Sequence, residues 1–247
     1  MTEPVEPPVE APGWTRSGPI RGTRVLVQAG LVFPVFNLLF GMEIRHRERL
    51  QHLHGAAIFV SNHSSALDAV AMIRAMPGRF RNRSYVVAAA DSIFKRRWEA
   101  LIAEMTVNAY PIPRGGGARP ALEQLKHHIR HGWSVVIFPE GTLSRTGRIG
   151  TFRKGAAILA IDTGVPIVPA YIEGTFELLP RFRRLPHPAQ GSLTWGDPLY
   201  PQAGEDYDAF IGRTEQAVRT LAGPRGMERD EPAPTGAASA EGSNYWY

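Results

Sequence analysis

Between residues 56 and 172 short apolar runs alternate with helical stretches, and this order constrains the fold more than any other feature of the chain. Residues 56–60 (AAIFV), 84–90 (SYVVAAA), 133–138 (WSVVIF) and 167–172 (IVPAYI) read as strands. A shorter strand at 107–112 contains Pro111, which has no N–H for a central ladder and so belongs near an edge. Helices are expected after these strands, at 69–73, 92–105, 119–131 and 155–163. The alternation predicts an α/β fold with a mainly parallel sheet flanked by helices. Residues 41–50 can add a short edge strand, 192–195 a last strand and 206–221 a terminal amphipathic helix. Right-handed crossovers would open the strand ends at His63, Arg114 and Glu140 onto one face.

The charge is partitioned. Residues 1–13 carry three acids and no base, and residues 14–204 hold 24 Lys+Arg against 12 Asp+Glu. A basic body points to an anionic partner: nucleic acid, phospholipid headgroups or a phosphorylated small molecule. Only three of its cations are lysine, so arginine, the better bidentate phosphate ligand, dominates. Cysteine is absent, which excludes disulfides, thiol nucleophiles and thiolate metal sites. Residues 1–23 and 223–247 read as disordered tails, leaving one domain over 43–222.

Residues 25–42 form an uncharged run of eighteen, bracketed by arginine on both sides. As a helix it would be about 27 Å long, slightly short of a hydrocarbon core. Gln28, Gly30, Pro34 and Asn37 also weaken a spanning reading. We expect a membrane-associating helix over 24–42 that lies on or shallowly enters the bilayer.

The densest chemistry follows the first strand, in Ser61-Asn62-His63-Ser64-Ser65-Ala66-Leu67-Asp68. A carboxylate at Asp68 can hold one ring nitrogen of His63 protonated, so that the other takes a proton from a hydroxyl. Residues five apart meet only if His63 lies in the turn before the helix. The same letters allow a capping box, with Ser65 as cap and Asp68 reaching back. Two further turns stand out. Pro113-Arg114-Gly115-Gly116-Gly117 lets backbone approach a ligand and adds a guanidinium, or is simply a flexible turn. Glu140-Gly141-Thr142 leaves the strand at 133–138, where open α/β sheets bind ligands; alternatively Glu140 pairs with a nearby arginine.

Taken together, these segments resemble the glycerolipid acyltransferase superfamily, typified by 1-acylglycerol-3-phosphate acyltransferases. Its Asn-His-x-x-x-x-Asp motif is met by Asn62, His63 and Asp68. Its apolar-Pro-x-Arg-Gly pattern looks like Tyr110-Pro111-Ile112-Pro113-Arg114-Gly115. Phe138, Pro139, Glu140, Gly141, Thr142 and Ser144 match its Phe-Pro-Glu-Gly-Thr-Arg-Ser motif, with Leu143 in place of the arginine. Val165-Pro166-Ile167-Val168-Pro169 matches its last motif.

The resemblance implies that His63 acts as general base, Asp68 fixes its tautomer, and the acceptor hydroxyl attacks an acyl thioester directly. It implies substrate contacts from Arg114, Gly115, Glu140, Gly141 and Thr142. Arg145, Arg148 or Arg153 would replace the missing phosphate-binding arginine, or the acceptor is a lysolipid other than lysophosphatidate. The donor would be acyl-CoA or acyl carrier protein and the acceptor a lysophospholipid, with no cofactor, no metal and no nucleic acid. The place of action would be a membrane phospholipid surface, on the cytoplasmic face of the inner or plasma membrane.

Rival readings are weaker on the residues. A serine hydrolase needs a nucleophile elbow, and Gly-x-Ser-x-Gly does not occur. A thioesterase would use water in place of the acceptor. A metal enzyme would rest on histidines such as His46, His52, His54, His127, His128 and His131, which lie in charged segments. A binding module would not require the histidine–aspartate pair.

Overall fold

The computed structural model describes residues 17–90, 97–113, 118–183 and 185–227. Among them, seven strands form one sheet: β1 (Phe40–Arg45), β2 (Ile58–Ser61), β3 (Ser84–Ala89), β4 (Ala109–Ile112), β5 (Ser134–Ile137), β6 (Ile167–Glu173) and β7 (Ala189–Trp195). The order is β1-β7-β6-β2-β5-β3-β4, and every neighbouring pair is parallel except β6 with β7. β2 and β5 sit in the middle with every residue buried, as continuous apolar runs require when a sheet is covered on both faces. Pro111 lies in the edge strand β4, as its missing N–H demands. Pro169 lies inside the sheet, in β6. The neighbouring strand β7 stops at Trp195, opposite Ala170, and just past its end the Gly196 N–H donates to Pro169 O at 2.7 Å.

Alternate side chains of β2 divide the core. Ile58 and Val60 face one layer, with Leu122, Leu125 and Ile129 of one helix and Ala156, Ala157 and Leu159 of another. Phe59 faces the opposite layer, with Phe36, Ala71, Met72, Ala103 and Val107. The helices are α1 (Gly18–Val27), α2 (Phe33–Leu39), α3 (Asp68–Ala75), α4 (Gly78–Arg81), α5 (Arg97–Val107), α6 (Ala118–Arg130), α7 (Gly155–Thr163), α8 (Thr175–Leu178) and α9 (Tyr207–Ala222). α6, α7 and α9 cover the first face; α2, α3 and α5 cover the second. Asp206 starts α9 by accepting the Ala209 N–H at 2.7 Å.

The N-terminal helix differs from the expectation of 24–42. It runs from Gly18 to Leu39, as α1, a π turn at Gln28–Val32, and α2. Pro19 in the first turn starts it early. Pro34 explains the π turn: its ring crowds the carbonyl four residues back, and the preceding turn widens so that Phe33 N–H bonds to Gln28 O. Phe40, Gly41 and Met42 leave the helix because they pair with Ala189, Gln190 and Gly191 of β7. At the other end, Gly223–Met227 extends α9 as a 3-10 turn, with Arg225 paired to Glu173. The remaining residues of both expected tails, 1–16 and 228–247, lie outside the described residues.

Polar residues of this helix face inward. Arg24 Nε donates to Glu104 O at 2.9 Å and Gln28 Nε2 to Thr106 O at 2.7 Å, capping the last carbonyls of α5. Phe36 joins the core, while four apolar residues face outward, with Leu26 73 % and Leu38 81 % exposed and Leu31 and Val35 also in solvent. Trp98, Leu101 and Ile102 of α5 extend the exposed apolar surface.

Candidate active site

β2 and β5 are parallel neighbours, but α3, which follows β2, covers one face and α7, which follows β5, covers the other. Chain departures to opposite faces make the carboxyl ends of the two strands a topological switch point, the usual ligand position in open α/β sheets. His63 leaves β2 there and Glu140 leaves β5.

Asn62 locks the turn. Its side-chain amide donates to Ile172 O at 2.9 Å and accepts the Ile172 N–H at 2.8 Å, continuing the β2–β6 ladder one residue past the strand. The main chain of His63 is held from the β5 side. Its N–H donates to Glu140 Oε1 at 2.8 Å and its carbonyl accepts the Ser144 N–H at 2.7 Å. Its ring stacks on Phe138, with centroids 4.2 Å apart and planes 18° from parallel.

His63 Nδ1 lies 3.0 Å from Asp68 Oδ2. Asp68 is fully buried, whereas the His63 side chain keeps 21 % exposure. A carboxylate facing Nδ1 assigns the proton to that nitrogen and leaves Nε2 as the acceptor. Asp68 Oδ2 also accepts the N–H groups of Ser64 and Ser65, at 2.7 and 2.8 Å. The capping and dyad readings therefore coexist on one oxygen. Ser65 itself departs from a capping box, since its Oγ accepts from Leu67 N–H and donates to Leu179 O.

Glu140 is buried. Its Oε2 accepts the Gly150 N–H at 3.1 Å, and a Cβ at Gly150 would sit 3.0 Å from that oxygen, so glycine is what admits the carboxylate. Gly141 turns at φ +68°, in the left-handed region. Thr142 is exposed beside it and Leu143 partly so. Arg145 and Arg153 are exposed on the same loop, Arg153 held by its N–H to Pro139 O at 2.9 Å. β4 ends on the same sheet edge, but Arg114 and Gly115 lie outside the described residues. Among the described residues no group of three His, Asp or Glu side chains is placed to hold a metal. The stacking by Phe138, the amide ladder of Asn62 and the backbone clamp of Glu140 are not legible in the local sequence. Their partners are 75 to 110 residues away or across the sheet, and no local signal marks them.

A buried aspartate stands behind a partly exposed histidine at the switch point of a mainly parallel sheet, the arrangement of an α/β enzyme. The model of the Acyltransferase family matches residues 41–173, and the chain belongs to that family. It is 31% identical over 157 residues to the chloroplastic 1-acyl-sn-glycerol-3-phosphate acyltransferase BAT2 of Brassica napus, covering 63% of this chain and 42% of that one. It is 31% identical over 137 residues to the human 1-acyl-sn-glycerol-3-phosphate acyltransferase beta, covering 54% of this chain and 48% of that one. The chain thus spans less than half the length of these curated relatives. The fold resembles the crystal structure of the 1-acyl-sn-glycerophosphate acyltransferase PlsC from Thermotoga maritima. The TM-score is 0.65 at 22% identity, over 80% of this chain and 79% of that one.

Proposed function

We propose that the protein transfers a fatty acyl group from an acyl thioester to the free hydroxyl of a lysophospholipid at a membrane surface, 1-acylglycerol-3-phosphate giving phosphatidate. The observation that carries this reading is the His63–Asp68 pair, with Nδ1 committed to a buried carboxylate and Nε2 left as a base. The names of the relatives support the acceptor and the product.

His63 Nε2 takes the proton of the acceptor hydroxyl as its oxygen bonds to the thioester carbonyl carbon. The tetrahedral adduct collapses, the C–S bond breaks, and the imidazolium returns the proton to the departing thiolate. Asp68 keeps the imidazole in the required tautomer and stabilises the imidazolium. No protein nucleophile is involved. Arg145 and Arg153 flank the turn and supply cations for the acceptor phosphate, with Arg114 as a further candidate from the sequence. Acyl-CoA and acyl carrier protein are both admissible donors.

The outward apolar face of the N-terminal helix supports attachment to a bilayer, and we place the enzyme at the cytoplasmic surface, where thioester donors are found. The test measures thiol release and lipid product together, using purified enzyme, a panel of thioesters and lysolipids, and the His63→Ala variant. Expected is stoichiometric thiol and phosphatidate from the parent enzyme and neither from the variant. Turnover retained by His63→Ala overturns the mechanism. Thiol release that ignores added lysolipid assigns a thioesterase instead.

A further inference from the structure

A second amphipathic element stands beside the catalytic turn. After α8 the chain is tied to that turn: Ser65 Oγ donates to Leu179 O at 2.8 Å, and Ser65 forms a β-bridge with Pro180. It then points outward. Phe182 is 69 % and Leu185 75 % exposed, and Arg181 and Arg183 are exposed with them. Phe182 meets the edge of Phe176, with centroids 6.1 Å apart. Phe176 in turn covers Gly147, in the loop that carries Arg145 and Arg148. From Gly174 to His187 the sequence holds three arginines and a single acid, Glu177.

Bulky apolar side chains alternating with guanidinium groups fit neither water nor a uniformly apolar partner. They fit a surface that is apolar beneath and anionic above. Phe and Leu enter the acyl boundary, while arginines remain at phosphate level with their stems along the apolar layer.

We propose that Arg181, Phe182, Arg183 and Leu185 form a second membrane contact, separate from the N-terminal helix, that seats the mouth of the His63 site on an anionic leaflet. The proposal rests on the reading that the enzyme works at a bilayer. It adds which edge faces the lipid, so that an acceptor can reach Nε2 without crossing water.

The absence of cysteine makes the test direct. Phe182→Cys, Leu38→Cys and His54→Cys each create one attachment point for an environment-sensitive nitrobenzoxadiazole label. Position 54 is exposed and precedes β2, at the sheet edge opposite the site. Vesicles are phosphatidylcholine with or without phosphatidylglycerol. On anionic vesicles, the labels at 182 and 38 should shift to the blue and be quenched by brominated acyl chains, while the label at 54 stays unchanged. Bound protein whose label responds at 38 but stays in water at 182 overturns the loop contact while keeping the bilayer reading. Protein that does not float with vesicles at all overturns both.

A second measurement uses surface substitutions that leave the fold intact, as checked by an unchanged Tm. Phe182→Ser with Leu185→Ser should weaken vesicle binding about tenfold or more. Arg181→Gln with Arg183→Gln should remove roughly fivefold per arginine of the preference for anionic vesicles, and most of its salt dependence. Unchanged binding in both pairs overturns the proposal.

Discussion

Glu140 and His63 are joined across the two central strands: the Glu140 carboxylate accepts the His63 main-chain N–H at 2.8 Å, and its second oxygen accepts that of Gly150 at 3.1 Å. A carboxylate bound this way sets where the imidazole starts. Glu140→Gln keeps one acceptor oxygen but turns an NH₂ toward the other donor. We expect a stability loss of about 1–3 kcal/mol and a fall in kcat of about tenfold or more, with the acceptor KM little changed. Denaturant unfolding and steady-state kinetics check both. A rise in KM at constant kcat would instead mean that Glu140 binds the acceptor.

Asp68→Asn separates the cap from the base. The amide oxygen can still accept the Ser64 and Ser65 N–H groups, so stability should change by about 1 kcal/mol. The ring loses its tautomer-fixing partner, and turnover should fall by roughly four orders of magnitude, as for a triad aspartate. Folding is read by the thermal transition and turnover by thiol release.

The face of Phe138 supports the His63 ring. Phe138→Leu keeps an apolar side chain at a buried position but removes the flat surface. The expected cost in stability is under about 1.5 kcal/mol, with a several-fold drop in kcat as the imidazole gains freedom. A kcat equal to that of the parent would remove Phe138 from the positioning set.

Arg24→Ala combined with Gln28→Ala removes the side-chain donor of the Thr106 carbonyl and one of two donors of the Glu104 carbonyl, which keeps the Asn108 N–H at 3.0 Å. The N-terminal helix should loosen from α5, with a cost of about 1–2 kcal/mol for each lost bond. Hydrogen exchange should accelerate over residues 18–39 and at the end of α5, while β2 and β5 stay protected.

Acid sensitivity has an assignable contributor in Glu205, just before α9. Hydrogen bonding from Arg213 holds the Glu205 carboxyl below its ordinary range, through contacts of 2.9 Å to Oε1 and 2.8 Å to Oε2. A depressed folded pKa means stability present above the unfolded value, about 4.3, and lost as pH falls through the folded one. Arg213→Ala should therefore lower Tm at pH 7, and the gap to the parent should shrink in the acid limb below pH 4.

Much of the sheet was readable from the chain itself. Strand runs at 56–60, 133–138 and 167–172 coincide with β2, β5 and β6, because apolar β-branched residues bounded by turns carry a local signal. Pro111 marked an edge correctly, since a missing N–H acts wherever the strand is. The N-terminal helix departs from its local pattern at both ends. Arg21 and Arg24 bound the uncharged run, yet they lie inside the helix, with Arg24 buried against a carbonyl 80 residues away. Phe40 belongs to the apolar run, yet it leaves the helix to pair with Ala189 of β7.

The segment from His63 to Asp68 shows the same division. The spacing from His63 to Asp68 and the helix start between them are local, and the chain alone placed the pair within reach of each other. Which other groups hold His63 was decided by strand order. β5 inserts beside β2, and β6 pairs on the other side, bringing Glu140, Phe138 and Ile172 against a turn 75 to 110 residues earlier. Local patterns record how each segment buries its apolar face. The order of the strands brings segments distant in sequence side by side so that both faces of one sheet are buried, a condition satisfied only by the whole chain at once.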